Sequence, residues 1–214
     1  MNLGELRQAF RREANDIAEP FLWSDENVNS WINEANQEAV RRVRRILRKN
    51  AAIPVSAGQR VVAYDKSWFE IWHAELVSGS YPHHLHQVDE FEMTRMRPDW
   101  MIDRGVPRQF FVRDGDLTFD KELTQDMTLN IVYSYLPAPL VQDTDEPEMP
   151  DVHHRYLIDW ALFRSFEVPD KEVFDPQRSA VCRQRFVHYF GRDPVSEFRR
   201  AQSANNPHHN KCWW

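Results

Sequence analysis

Cysteine and glycine are scarce in this sequence, and long hydrophobic runs are missing. Its two cysteines, Cys182 and Cys212, cannot build a disulfide framework and are predicted to be free thiols. Six glycines among 214 residues favour helices over glycine-rich loops, and thirteen prolines are expected to separate the elements. No apolar run approaches the roughly 18 residues that span a bilayer, and the N-terminus has no apolar signal core. The protein is therefore expected to be cytoplasmic.

The sequence also lacks the short motifs of common catalytic sites. It has no Gly-x-Ser-x-Gly, no phosphate-binding glycine loop and no His-Glu-x-x-His. Cys182 and His188 lie six residues apart on one predicted helix, so they cannot meet as nucleophile and base. His83, His84 and His86 are too close together for one loop to present all three rings to a metal ion. We therefore predict a protein that is not an enzyme and that holds neither a metal nor a cofactor.

Charge is distributed unevenly along the chain. The net charge is −6, and residues 51–150 alone carry seventeen Asp and Glu against eight Lys and Arg. This argues against a nucleic-acid binder whose whole surface attracts phosphate. Arginines nevertheless cluster in predicted helices, namely Arg41, Arg42, Arg44, Arg45, Arg178, Arg183, Arg185, Arg199 and Arg200. They are compatible with solvated helix faces, with an acidic protein partner or with a nucleic-acid patch.

Helical spacing of apolar residues predicts two helices in the first fifty residues. Residues 3–17 present one apolar stripe, and Pro20 ends it. Ser24 is predicted to cap a second helix, which keeps apolar residues on one face for about six turns, to Leu47. Six cations in its last two turns complement the negative helix end, and Asn50 can cap it. Residues 1–50 are therefore expected to be helical.

Helices are also predicted after residue 150. Asp151 can cap a run whose apolar residues nearly encircle it, which is typical of a central helix, and Pro169 ends this run. Asp175, with the proline that follows it, starts a further helix that stops at Gly191. Asp193 repeats this start signal for a short helix to about residue 202. Both ends of the chain are thus predicted to be helical.

Between these regions the apolar period changes from 3.6 to 2, which predicts strands. Residues 59–64, 68–72 and 129–135 are rich in β-branched and aromatic residues. Residues 109–113 and 116–120 are predicted to form a hairpin, because Asp114-Gly115 between them is a strong two-residue turn signal. Several short strands separated by turns indicate a small sandwich or barrel.

The order of helices, strands and helices predicts an α+β fold. We expect a helical bundle built from residues 1–50 and 151–203, with a small antiparallel β domain inserted as residues 51–150. The inserted segment ends in an acidic loop, and residues 204–214 form a separate C-terminal tail. Within the insert, residues 85–93 fit either a strand or a short helix.

The C-terminal tail is polar until its last two residues, Trp213 and Trp214. Leaving two indoles on a chain end forgoes burial worth roughly 2–3 kcal/mol each. Either they fold back onto their own subunit, or they are anchors for a groove on a partner. His208, His209 and Cys212 can bind adventitious metal, which indicates no function. The tail therefore indicates assembly rather than chemistry.

Short motifs lie near both ends of the chain. In the first fifty residues they are Leu3-Gly4-Glu5-Leu6-Arg7, Trp23-Ser24-Asp25-Glu26 and Trp31-Ile32-Asn33-Glu34-Ala35. Nearer the C-terminus they are Tyr135-Leu136-Pro137-Ala138-Pro139-Leu140, Asp143-Thr144-Asp145-Glu146-Pro147 and Tyr156-Leu157-Ile158-Asp159-Trp160-Ala161-Leu162. In their order and spacing these motifs, over roughly half of the chain, resemble the head–tail adaptor (connector) proteins of tailed bacteriophages. Gly105-Val106-Pro107 before a hairpin resembles variants with a β module.

The resemblance implies a ring-forming virion protein, usually of twelve copies, in the neck between head and tail and assembled in the host cytoplasm. Its partners would be the portal, tail or nozzle proteins, further copies of itself and genome DNA that passes through without specific binding. The tail would dock into the portal through Lys211, Cys212, Trp213 and Trp214, with Arg199 and Arg200 nearby. Candidate arginines for contacts with neighbouring subunits or partners are Arg41, Arg44, Arg45 and Arg48.

Acidity in the middle of the chain has a physical use in such a ring. A channel that conducts DNA should repel phosphate rather than bind it. The candidate carboxylates, facing the lumen, the solvent or basic tail proteins, are Asp143, Asp145, Glu146 and Glu148. The alternative hypothesis is a nucleic-acid-binding module that uses the arginine-rich helices.

Overall fold

The computed structural model describes residues 1–63, 65, 67–113, 115–169 and 174–192. Over these residues the protein is a mixed α+β structure with five α-helices, one short 3-10 helix and two four-stranded sheets. The α+β prediction is confirmed. The described chain divides into two compact units: a helical unit of residues 1–47 with 136–192, and a β unit of residues 48–135.

Four α-helices belong to the helical unit, and their ends follow local capping rules. They are α1 (Leu3–Ala14), α2 (Asp25–Arg42), α4 (Leu157–Phe166) and α5 (Pro176–Phe190), with a 3-10 helix at Asp151–Tyr156; α3 (Glu90–Met96) lies in the β unit. Ser24 caps α2 as predicted, since its side chain accepts a hydrogen bond from the backbone N–H of Asn27. Asp175 caps α5 in the same way, and Gly191 ends that helix.

Helix α4 lies at the centre of the helical unit, as its encircling apolar residues predicted. Eight of its ten residues are buried. The Trp160 ring packs 4.9 Å from that of Phe186 on α5. Phe166 packs 6.0 Å from Trp23, which in turn lies 5.6 Å from Phe10 on α1. Elements from before residue 47 and after residue 156 therefore share one aromatic core.

The predicted boundaries of three helices are wrong. Helix α1 ends at Ala14 because Asn15 adopts the left-handed conformation at φ 61°, and Ile17 is 67% exposed. Helix α2 ends at Arg42 rather than near Leu47. Asp151 caps no helix but begins the 3-10 helix, for which there is no side-chain cap.

The early end of α2 has two physical reasons. The cations after Arg42 would repel one another at helical spacings of three and four. The strand β1 (Arg48–Val55) instead pairs over all eight of its residues with the strand β8 (Met127–Tyr135). Pro54 lies inside β1 because β1 is an edge strand, where a missing N–H is tolerated.

The remaining strands complete two sheets in the β unit. They are β2 (Val61–Ala63), β3 (Trp68–Ser78), β4 (Tyr81–His84), β5 (His86–Gln87), β6 (Gln109–Arg113) and β7 (Asp116–Phe119). The first sheet has the order β1-β8-β3-β4 and the second the order β2-β7-β6-β5. All described pairings between these strands are antiparallel except the short parallel pair of β5 and β6. An isolated parallel bridge joins Arg104 to Glu122.

The predicted hairpin is confirmed as β6 and β7, in which Arg113 is opposite Asp116 and Gly115 has φ 93°. Residues 85–93, which fit either a strand or a short helix, contain part of each: the strand β5 is followed by the helix α3. Met93 of α3 packs with Trp100 and Phe111 in a buried cluster. This cluster fixes α3 against the second sheet.

Several predictions fall on residues outside the described ranges. These are the short helix to about residue 202 and the tail of residues 204–214, with Arg199, Arg200, Lys211, Cys212, Trp213 and Trp214. Among the helices of the described ranges, none combines the length and the apolar character that crossing a membrane requires.

Candidate interaction surfaces

A buried ion-pair network joins α1 to the segment that leads into α2. The guanidinium of Arg11 lies 2.7 Å from Oδ2 of Asp16, and it also contacts the carboxylate of Asp25. It donates a further hydrogen bond to the carbonyl oxygen of Trp23 at 3.1 Å and stacks over the Phe21 ring at 3.6 Å. Both Arg11 and Asp16 are buried. The network therefore holds the α1–α2 connection in one conformation.

The predicted acidic loop is fastened to α1. Arg7 donates to Oδ2 of Asp143 at 2.8 Å. The backbone N–H groups of Leu3 and Gly4, at the start of α1, donate to the carbonyl oxygens of Asp145 and Asp143 at 2.8 and 3.0 Å. The loop thus satisfies N–H groups that the first helical turn leaves without intrahelical acceptors.

A second contact fastens the loop to α2. The side-chain amide of Asn33 accepts from the N–H of Leu140 at 2.7 Å and donates to the same residue's carbonyl oxygen at 2.9 Å. These two bonds mimic a strand pairing. Residues 136–150 therefore belong structurally to the helical unit.

The four candidate carboxylates of the loop differ in their surroundings. Oδ2 of Asp145 accepts from the N–H groups of Val141 and Gln142 at 2.8 and 2.7 Å. The bond from Gln142 has the larger effect, and together the two bonds hold the pKa of the Asp145 carboxyl below its ordinary value. Asp143 is paired with Arg7, whereas Glu146 is exposed.

Glu148, the last of the four, accepts a hydrogen bond from the N–H of Ala138 at 3.4 Å. Asp143, Asp145 and Glu148 therefore all contribute to the conformation of the loop itself.

The structure distributes the candidate arginines over different environments. Arg41 pairs with Glu38 at 3.2 Å, and its side chain is 45% exposed. Arg44 is half-buried and Arg45 is exposed, and both lie between α2 and β1. Arg48 begins β1, where its guanidinium lies 5.9 Å from the ring of Trp72. The four candidates do not share one helix face.

Arg42, their neighbour, is part of the interior. Its side chain is only 4% exposed, and its Nε lies 2.7 Å from Glu38. It donates to the carbonyl oxygen of Gly191 at 2.9 Å and lies 5.3 Å from the rings of both Trp160 and Phe186. Arg42 therefore secures the C-terminal end of α5 to α2.

Sequence reasoning missed an exposed apolar surface on the β unit. Four large side chains around α3 and the turn after it are strongly exposed: Phe91 (77%), Met96 (56%), Met101 (66%) and Ile102 (78%). Their exposure was not predicted, because apolar residues in this segment follow neither a clear helical nor a clear strand period. Contiguous exposed apolar groups often mark protein contacts, so this segment is a candidate interaction surface.

The helical unit has a groove of its own, with both apolar and polar side chains in its lining. It has a volume of about 430 Å³ and is lined by residues that include Leu22, Trp23, Phe166 and Phe174. The side chains of Leu22 and Phe174 are 56% and 54% exposed. The indole N–H of the buried Trp23 finds no acceptor among the described residues. A groove of this kind is a second candidate for protein contacts.

The exposed apolar side chains make these surfaces candidates for contacts with other proteins. The chain belongs to the SU10 adaptor protein family, whose sequence model matches residues 1–209. No curated protein sequence matches the chain. The family confirms the resemblance to phage head–tail adaptors, and it implies a structural, non-enzymatic role in the virion neck, in association with portal and tail components.

Proposed function

We propose that this protein forms a ring of twelve copies beneath the portal and connects the portal to the tail. The match of residues 1–209 to the adaptor family carries this proposal. The exposed apolar side chains around α3 and the groove beside Trp23 support it, because a ring subunit needs surfaces for its neighbours and partners.

In this proposal the helices from both ends of the chain form one bundle. The inserted module, expected from the sequence as residues 51–150, is the β unit of residues 48–135, and the acidic loop belongs with the helices. The grouping of residues 1–47 with 136–192 in one compact unit supports this arrangement. The arginines at positions 41, 44, 45 and 48 then serve contacts with neighbouring subunits or partners.

The tail is proposed to dock into the portal, with Trp213 and Trp214 as its anchors and Lys211, Cys212, Arg199 and Arg200 around them. Buried tryptophans at an interface are typical hot spots, each worth at least about 2 kcal/mol. The polar residues before them would order on docking, so that binding depends on the partner being present.

Electron microscopy and pull-down with the matching portal test this role. The double variant Trp213→Ala/Trp214→Ala should bind the portal at least about 30-fold more weakly, which corresponds to a single hot spot. The matched control His208→Ala/His209→Ala changes the same segment but keeps both indoles, and it should bind normally. Equal binding by all three proteins would assign the indoles to a fold-back on their own subunit.

The ring would conduct DNA without holding it. Binding to short duplexes separates this function from the nucleic-acid-binding alternative. A nucleic-acid-binding module should bind the duplexes tightly and lose affinity steeply as the salt concentration increases, whereas an adaptor should show little affinity for them. The burial of Arg42 and the pairing of Arg41 with Glu38 support the adaptor, because they leave fewer arginines for phosphate.

A further inference from the structure

A histidine–glutamate cluster lies on the outer hairpin of the first sheet. Glu75 on β3 is directly opposite His84 on β4 in the antiparallel register. His73 precedes Glu75 by two residues on β3, and its ring centroid lies 5.3 Å from that of His84. The strand pairing therefore brings two imidazoles and one carboxylate together on one face of the sheet.

The distances within this cluster match those between metal ligands, and only His73 lies within hydrogen-bond reach of Glu75. Nε2 of His73 lies 3.4 Å and Nδ1 of His84 lies 3.7 Å from the same oxygen, Oε2 of Glu75. Charge-assisted hydrogen bonds are shorter, about 2.7–2.9 Å. Ligands held about 2.0–2.2 Å from a tetrahedral zinc ion lie roughly 3.3–3.6 Å from one another. All three ligand atoms fall within 4.8 Å of one another.

A neighbouring strand orients the carboxylate. Nδ2 of Asn130 on β8 donates to the other oxygen of Glu75, Oε1, at 3.2 Å. Oε2 is thereby left free to face the two imidazoles. Outer-shell hydrogen bonds orient the ligating carboxylates of metal sites in the same way.

The cluster is open to the solvent from which an ion would enter. The side chains of His73 and His84 are 48% and 64% exposed, whereas that of Glu75 is 21% exposed. Two nitrogens and one oxygen suit a borderline divalent ion such as Zn²⁺, and the open side leaves a fourth position for water.

We propose that His73, Glu75 and His84 form a binding site for a divalent transition-metal ion of the zinc type, which joins β3 to β4. Sequence reasoning weighed His84 with the neighbouring histidines at positions 83 and 86. It could not combine His84 with residues eleven and nine positions earlier without the strand register. Asn130 is a positioning residue of this site, since it acts through Glu75.

Calorimetric titration of the full-length protein with ZnCl₂ at neutral pH tests the site. Because His208, His209 and Cys212 are alternative ligands, every protein in the series carries His208→Ala, His209→Ala and Cys212→Ser. The starting protein should bind one ion per chain, and His73→Ala or His84→Ala should weaken binding at least about 10-fold. Asn130→Ala should weaken it in the same direction with both imidazoles present.

The matched control is His83→Ala. His83 neighbours His84 on β4 but is opposite Leu76, so it belongs to the other face of the strand, and its loss should not change zinc affinity. Circular dichroism verifies folding, and the isosteric Glu75→Gln tests the same site should an alanine variant fail to fold. No zinc binding by the starting protein, unchanged affinity in His73→Ala, His84→Ala and Glu75→Gln, or an equal loss in His83→Ala would overturn the proposal.

Discussion

Replacing Arg11 with methionine should destabilise the helical unit strongly. The change keeps much of the side chain's length but removes the cation that faces Asp16, whose side chain is only 2% exposed. Removing one partner of a buried ion pair typically costs about 3–5 kcal/mol, because the remaining charge stays buried without compensation. Oδ1 of Asp16 still accepts the N–H of Leu22 at 2.9 Å, which places the expected loss near the lower end, about 3 kcal/mol.

Arg155 provides a control with the same chemistry in an exposed position. Its guanidinium lies 3.0 Å from Glu13, but the two side chains are 77% and 44% exposed. Exposed pairs contribute about 0–1 kcal/mol, so Arg155→Met should change the free energy of unfolding little. Two identical substitutions at similar distances from a carboxylate thus separate the effect of burial from that of charge.

Urea denaturation followed by far-ultraviolet circular dichroism measures this difference. Of the α-helices described, all but α3 lie in the helical unit, so the helical signal reports chiefly on that unit. A loss of about 3 kcal/mol corresponds to more than a hundredfold change in the unfolding equilibrium. If Arg11→Met and Arg155→Met unfold within about 1 kcal/mol of each other, the network does not hold the α1–α2 connection as described.

Three further predictions concern other parts of the helical unit. Asp145→Asn should destabilise the protein at neutral pH in thermal unfolding. Folding lowers the pKa of Asp145, so its carboxylate stabilises the folded protein fully above about pH 3.9, the ordinary pKa of Asp. This stabilisation is lost as the pH falls towards the folded-state pKa, where the unfolding temperatures of variant and parent should converge. Asp175→Ala removes the acceptor for two N–H groups and should cost about 1 kcal/mol in urea denaturation, whereas the exposed Gln177→Ala should not. Phe186→Ala empties a fully buried position beside Trp160 and should cost about 3–5 kcal/mol in the same assay; a loss below about 1 kcal/mol would contradict the packing.

Local signals were sufficient where the structure depends on neighbouring residues. The caps at Ser24 and Asp175 and the turn before Asp116 were predicted correctly, because each depends on a few adjacent side chains and N–H groups. The end of α2 was not predicted correctly, because it depends on the pairing of β1 with β8, a strand about eighty residues further along the chain. Tertiary pairing thus overrode a regular helical pattern.

The histidine cluster shows why the candidate metal site could not be predicted. Strand β3 has two register irregularities against β8, one between Trp68 and Glu70 and one between Ile71 and His73. Each irregularity interrupts the alternation of faces, so the pattern from Trp68 onwards does not predict where the His73 side chain points. His84 joins it only through β4. The sequence alone therefore gives no reason to group His73 with His84, eleven residues further along the chain.

The carboxylates of residues 51–150 illustrate how a charge count differs from a surface charge. Asp120 is fully buried, accepts the backbone N–H groups of Arg108 and Gln109, and pairs with Arg97 at 3.0 Å. Asp145 is similarly engaged within its loop. Such groups are part of the fold, and Arg97 neutralises the charge of Asp120. In the proposed ring, the candidates for a lining that repels DNA are exposed carboxylates outside such networks, and Glu146 is one of them.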